Sequence, residues 1–310
     1  MNKRISLCVL GIGKHYIKNI KPAILKSNKF EIKKEINTNT KKFTFKNINL
    51  KKILEDKIDA VYISTPSHTH HKFILAALEC DKHIICEKPF VSNYTNFAKI
   101  VDLAKKKNLL IFECFMYRFH PVFYKLQRLI SEKKFGNIKY AISYFNIPNI
   151  FPNHRYSQKP GQGFFFDTAV YPLSLCNHLF KIKPNKIKIK YNRVIKEKRN
   201  DRRGCLFLNS KYLDLFLFWG ENLKYKNSLE IVFTKGSIFI EKIFTKLKNE
   251  NPQIVLNCGN RKSKLINLPI KNQFEEMLSY VAESLILKKN FTFERKNIIN
   301  NVELLKKINP

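Results

Sequence analysis

The chain has 310 residues, 44% of them hydrophobic, which is enough for two domains with a large core. No run of eighteen apolar residues occurs, so no transmembrane helix is expected, and Met1–Ile5 is too short before the first glycine turn to be a signal peptide. A formal net charge of +34 raises nucleic-acid binding, but the lysines are spread along the whole chain, which favours lysine-rich solvated faces that also attract anionic ligands.

The seven cysteines, Cys8, Cys80, Cys86, Cys114, Cys176, Cys205 and Cys258, form no C-x-x-C pair and mostly lie in apolar runs. They read as reduced core residues of a cytoplasmic protein, and their spacing disfavours zinc.

In chain order, Ile5–Leu10 is an apolar strand that runs into Gly11-Ile12-Gly13-Lys14-His15. A dinucleotide fold needs glycine here, so that backbone N–H groups can approach a pyrophosphate at the next helix N-terminus. The signal gains weight because the whole chain holds only nine glycines. The third position of G-x-G-x-x-G is Tyr16, a bulky departure that argues against close packing of this helix on the sheet. Phe30–Ile36 is the second strand. Asn37-Thr38-Asn39-Thr40-Lys41-Lys42 follows, without the acid that usually holds the ribose of NAD. Thr38 and the lysines suit a 2′-phosphate, which leans the reading to NADP over NAD. A plain lysine-rich loop weighs equally, and the segment 37–49 is short.

After a helix at Leu50–Glu55, Ala60–Ile63 reads as a buried strand, ended by the Thr65-Pro66 break. His70–Glu79 has helical spacing, and His83–Cys86 is a second strand that runs into Glu87-Lys88-Pro89. Strand, helix and strand over about thirty residues make a βαβ unit. Its two turns, Thr65-Pro66 and Glu87-Lys88-Pro89, fall at the same sheet edge, where ligands bind. His68, His70 and His71 invite a metal reading, but they have no carboxylate or cysteine at ligand spacing, and no metal is expected.

Asn93–Asn108 reads as an amphipathic helix and Leu109–Phe112 as a strand. A helix opens at Pro121 and runs through Ile130, and a strand follows at Lys139–Phe145. Pro148–Pro160 reads as an irregular loop. In Gly161-Gln162-Gly163-Phe164-Phe165-Phe166-Asp167-Thr168-Ala169-Val170-Tyr171, a helical start places Asp167 and Tyr171 four apart on one face. Spacing alone favours a capping Asp and a core Tyr. Strands are expected at Lys186–Ile195, Cys205–Trp219, Leu229–Thr234, Ser237–Glu241, Gln253–Leu256 and Lys264–Leu268. Helices at Asn272–Leu287 and Asn297–Ile308 close the chain.

The motifs TP-x-x-x-H at Thr65–His70, EKP at Glu87–Pro89 and E-x-F-M-Y-R-x-H-P at Glu113–Pro121 resemble the Gfo/Idh/MocA oxidoreductase family. Gly161–Tyr171 resembles that family's G-G-G-x-x-x-D-x-G-x-H/Y, with Gln162 and Ala169 in place of glycines. The resemblance covers nearly the whole chain. It implies an α/β protein with an N-terminal Rossmann domain (1–119) and a C-terminal α+β domain (120–310) built on a large, mostly antiparallel open sheet. It also implies NAD or NADP as cofactor, held by the glycine turn with Thr65, Pro66, His70, Glu87, Lys88 and Arg118. Arg118 has an interdomain ion pair as its competing role.

In this reading Tyr171 is the acid/base for the sugar oxygen. Lys88 supplies the ammonium that favours its phenolate, or carries the proton itself, and Asp167 orients substrate or Lys88. Tyr at 171 and the Met116-Tyr117-Arg118 crossing point to sugar or nucleotide-sugar ketoreductases rather than inositol dehydrogenases. The resemblance also implies a dimer or tetramer. The departures at Tyr16, Gln162, Ala169 and 37–49 leave open a non-catalytic relative that binds nucleotide or sugar.

Overall fold

The computed structural model describes residues 4–38, 50–54, 57–148, 163–197, 200–246, 250–259 and 262–308. Most of the 37–49 segment, nearly all of the expected loop 148–160, and Gln162 lie outside them.

The first half of the chain alternates strand and helix: β1 (Ile5–Leu10), α1 (Lys21–Ser27), β2 (Phe30–Ile36), α2 (Leu50–Leu54), β3 (Ala60–Ile63), α3 (His70–Glu79), β4 (His83–Cys86), α4 (Phe97–Lys106) and β5 (Ile111–Glu113). The strands form one parallel sheet in the order β2-β1-β3-β4-β5. β2 and β3 flank β1 on opposite sides, so the strand order reverses there, and the carboxyl ends of β1 and β3 face a topological switch point. The run Ala60-Val61-Tyr62-Ile63 is buried throughout, as parallel strands covered on both faces require. On one face, Cys8, Leu10, Val61 and Ile63 pack with Phe73, Ile74, Ala77 and Leu78 of α3 and Ile100 and Ala104 of α4.

A second sheet follows α5 (Pro121–Ser131). Its strands are β6 (Ile138–Asn146), then, after α6 (Val170–His178), β7 (Lys188–Glu197), β8 (Asn200–Asn209), β9 (Asp214–Gly220), β10 (Lys226–Phe233), β11 (Gly236–Glu241), β12 (Gln253–Asn257) and β13 (Lys264–Asn267). The order is β13-β12-β11-β10-β6-β9-β8-β7, antiparallel at every described pairing but β6–β9. The stretch Cys205–Trp219, expected as one strand, is two. Ser210 N donates to Leu213 O (3.0 Å) and closes a turn between β8 and β9. The polar run Asn209-Ser210-Lys211 carries that turn signal inside an otherwise apolar window.

Helices α7 (Gln273–Ile286) and α8 (Thr292–Ile308) end the chain. α8 begins five residues earlier than the expected Asn297, because the Asn290 side chain accepts from Thr292 N (2.8 Å) and caps it. Among the described residues two compact units result: those up to Phe115 with Phe274–Val302, and those from Met116 through Gln273 with the residues from Glu303 on. The expected second domain began at 120 and held both final helices, yet Phe274–Val302 packs within the first unit. Lys29 Nζ there pairs with Glu283 Oε1 (3.0 Å), and Ile298 and Val302 of α8 join the core of the parallel sheet.

Candidate active site

In the first unit, β1 ends at a turn whose geometry only glycine satisfies. Gly11 has φ +95°, and a Cβ there would lie 2.6 Å from Ser64 O and 2.8 Å from Thr65 N. Gly13 is different. Its φ lies outside the left-handed range, and among the described residues no atom beyond its chain neighbours lies within 4 Å of the place its Cβ would take. The fold does not require glycine at 13, but a ligand seated against bare backbone does. Ile12 is half-buried, and Lys14 and His15 are exposed where a continuous helical run to Ser27 begins. The first N–H groups of such a run lack intrahelical partners and carry the positive end of its dipole, so this turn fits a pyrophosphate.

Tyr16 does not hold that helix away from the sheet. It is 0% exposed, and its hydroxyl donates to Glu35 Oε1 of β2 (2.5 Å). The run Tyr16–Ile20 is a π-helical turn, whose wider coil gives the ring room that an α-turn reserves for glycine. Glu35 also accepts from Lys21 Nζ (2.8 Å), so the acid near the end of β2 is already satisfied inside the fold. Burial works against its charge, and Lys21 and Tyr16 outweigh it, holding the carboxyl below its usual range. Thr38, half-buried, lies two residues beyond β2.

The two predicted turns do stand at one edge. Leu10 pairs with Ile63, and Ile63 with Cys86. Ser64 N donates to Leu10 O (2.8 Å) and Glu87 N to Ile63 O (2.9 Å), which sets Gly11, Thr65 and Glu87 side by side. In the first of these turns the Thr69 hydroxyl donates to Pro66 O (2.7 Å) and lies 2.8 Å from the Thr65 hydroxyl. In the second, Glu87 Oε1 accepts from Tyr62 (2.5 Å) and from His15 Nε2 (3.1 Å). Burial pushes this carboxyl up, but His15, Tyr62 and Lys88 together hold it below its usual range. Glu87 therefore stays anionic and ties the helix after the glycine turn to the turn that carries Lys88. Lys88 itself is half-buried.

His70 is not exposed to a ligand. It is 1% exposed, with Nδ1 2.9 Å from Pro89 O and Nε2 2.8 Å from Thr65 O. Two residues that sequence reasoning left without a role hold the far side of the turn. The buried Glu113 accepts from Phe90 N (2.8 Å) with one oxygen and from Asn301 Nδ2 of α8 (2.8 Å) with the other. Among the described residues, no three His, Cys, Asp or Glu side chains gather as a metal site requires.

The second unit carries the other predicted residues. Phe165–Ala169 forms a π-helical turn that continues into α6. Four residues still make close to one turn, so Asp167 and Tyr171 share a face. Tyr171 is 6% exposed, and its ring packs between Phe145 (4.7 Å) and Phe244 (5.5 Å). Its hydroxyl donates to Met116 Sδ at 3.8 Å, a weak acceptor. Ala169 is buried in full, where a small side chain fits as glycine would. Arg118 is buried over the ring of Phe119 (5.2 Å) and, after burial itself, is the main charge that depresses His178. Tyr117 anchors this cluster through Ser174 (2.5 Å).

A parallel sheet with a glycine turn at its switch point, followed by a large, mainly antiparallel sheet, defines a two-unit dinucleotide-binding protein. Two family models match accordingly: the oxidoreductase family with an NAD-binding Rossmann fold over residues 10–115, and the GFO/IDH/MocA C-terminal domain over residues 123–239. The chain belongs to the Gfo/Idh/MocA oxidoreductase family.

It is 30% identical over 190 residues to dTDP-3,4-didehydro-2,6-dideoxy-alpha-D-glucose 3-reductase of Saccharopolyspora spinosa, a match covering 61% of this chain and 57% of that enzyme. The enzyme of the same name from Actinomadura kijaniata is 23% identical over 74% of this chain and 70% of its own. The crystal structure of KijD10, a 3-ketoreductase from Actinomadura kijaniata in complex with NADP and TDP-benzene, superposes with a TM-score of 0.90 at 20% identity, covering 99% of this chain and 97% of that one. That likeness shows the fold.

Proposed function

We propose that this protein is an NADP(H)-dependent oxidoreductase that interconverts ketone and alcohol on a carbon of a nucleotide-linked sugar. The observation that carries the reading is Gly13. It is a glycine that the fold does not need, at the start of a helix and beside the switch point of a parallel sheet. NADP over NAD is supported by Glu35, the acid nearer the end of β2, whose carboxylate is already engaged by Tyr16 and Lys21. The relatives support the sugar class: both curated relatives above are 3-reductases of a dTDP-linked keto sugar.

The nicotinamide, when bound, gives or takes the hydride. Gly11–His15 and Thr65–Pro66 hold the dinucleotide. Lys88 donates to the reacting oxygen and places a positive charge there as negative charge develops. Tyr171 exchanges that oxygen's proton, and Asp167 orients the sugar. Arg118, on the Met116–Phe119 turn of the second unit, supplies a positive charge for a phosphate of the cofactor or substrate. The seven free cysteines support a reducing, cytoplasmic setting. No helix among the described residues is long and apolar enough to cross a membrane.

The test is a titration of the protein with NADPH and NADH, followed by nicotinamide fluorescence, with Gly13→Asp as control. NADPH is expected to bind more tightly, and the variant to lose binding while keeping its fold. Equal, weak binding of both cofactors, unaffected by the variant, would remove the reading.

We also propose a homo-oligomer built through the second sheet. On its outward face Tyr144 stacks on Phe218 (4.9 Å) and Phe207 on Phe216 (4.7 Å), with Tyr140 edge-on to Phe216. Tyr140 is exposed and the other four are half-buried, so the face meets water along an aromatic stripe of the kind that partner surfaces cover. Sedimentation is expected to give at least twice the chain mass, and Phe218→Glu the monomer mass. A wild-type monomer at tens of micromolar would refute this.

A further inference from the structure

The Thr65-Pro66 and Lys88-Pro89 turns follow neighbouring strands, and one buried imidazole is set between them. Nδ1 of His70 faces Pro89 O at 2.9 Å, and Nε2 faces Thr65 O at 2.8 Å. Both are hydrogen-bond distances, and both partners are carbonyl oxygens, which only accept.

A neutral imidazole carries one N–H. Whichever tautomer forms, its bare nitrogen would set a lone pair against a carbonyl lone pair and leave that buried carbonyl without a donor. The imidazolium has a donor for each. Glu87, on the turn after β4, is the charged group that faces the ring, and its carboxylate favours the cation. His71 is the titratable neighbour on α3. Burial, the largest influence on His70, holds its pKa below the ordinary imidazole value, while the Pro89 and Thr65 carbonyls, Glu87 and the Phe90 backbone oppose it. The geometry decides between them, because only one protonation state leaves no lone pair facing another.

We infer that His70 is a positioning residue held as an imidazolium, whose two N–H groups tie the Thr65-Pro66 turn to the Lys88-Pro89 turn and so fix Lys88 in its working position. The functional half of this inference rests on Lys88 acting on the substrate. The structural half does not. As pH rises through the ring's pKa, one N–H is lost, one carbonyl is released, and the Lys88 turn gains freedom.

The test begins with protein labelled with 15N-histidine, observed by long-range proton–nitrogen correlation at pH 7. His70→Gln identifies the His70 signals by their absence. Both ring nitrogens are expected to carry protons; a bare ring nitrogen on His70 at pH 7 overturns the inference. His70→Phe keeps a ring but removes both donors. Its kcat is expected to fall roughly 100-fold, the scale of a small misplacement of a catalytic group, with NADPH affinity within a few-fold of wild type. Wild-type kcat in that variant overturns the positioning role, and if the variant does not fold, the protonation measurement on the wild type decides alone. Lys88→Ala separates the two readings. If that variant turns over normally while His70 is doubly protonated, the tie stands and the assignment of Lys88 falls. If Lys88→Ala is inactive and His70 is neutral, the tie alone falls.

Discussion

Lys88→Ala is expected to lower kcat for ketone reduction by roughly a thousandfold or more, the range set by loss of a proton-transfer partner or of one preorganised donor to a developing oxyanion. The fold and the affinity for NADPH should change little, because the neighbours of Lys88 hold the turn that carries it. Glu87 N donates to Ile63 O, the Glu87 carboxylate is gripped by Tyr62 and His15, and Phe90 N donates to Glu113. Truncation removes the ammonium and leaves those ties.

Tyr171→Phe should cost turnover on a similar scale, since the variant loses the hydroxyl while its ring stays packed on Phe145 and Phe244. Absorbance of NADPH under saturating keto-sugar substrate measures the rate, and a thermal melt checks the fold. Normal turnover in both variants of this chain would sink the assignment of Lys88 and Tyr171.

The sequence made the carboxyl edge of the parallel sheet legible because buried strands leave continuous apolar runs and the turns that end them are punctuated by glycine and proline. Ala60–Ile63 and His83–Cys86 could be placed on that ground alone, and Thr65 and Glu87 with them. What escaped were the ties between distant segments. Glu113 bonds Asn301, 188 residues away, and nothing local to either residue signals the other. The amphipathic patterns of α7 and α8 say that a face is buried, not which sheet buries it, so the grouping of Phe274–Val302 with the first unit has no local signal.

Tyr16 was read as an obstacle because a motif counts side chains, not helical pitch. The π-helical turn and Glu35 together absorb it. The motif places His70 near the cofactor, and nothing local to it signals that both its nitrogens face backbone carbonyls of two separate turns.

Gly11→Ala and Gly13→Ala, one methyl group each and two positions apart, are expected to fail in different ways. At Gly11 the backbone has φ +95° and the new Cβ would meet Ser64 O at 2.6 Å and Ser64 C at 2.7 Å. These are main-chain atoms at the end of β3, which cannot swing aside as a long side chain would. Strain in a left-handed conformation and overpacking each cost about 1–3 kcal/mol, so a loss of roughly 3 kcal/mol is expected. At about 2–4 °C per kcal/mol, that lowers the melting temperature by roughly 6–12 °C. Cofactor binding should disappear with the turn's shape, because Thr65 and the first helical N–H groups move with it.

At Gly13 the same methyl group meets nothing within 4 Å, so the melting temperature should stay within about a degree of wild type, as for surface changes. Any loss of NADPH affinity there comes from crowding the ligand itself. A Gly13→Ala protein that melts normally but binds NADPH at least tenfold more weakly locates the dinucleotide against residue 13. A variant that binds as tightly as wild type would mean that the space beside Gly13 is not where the cofactor lies, and the glycine turn would then serve the fold through Gly11 alone.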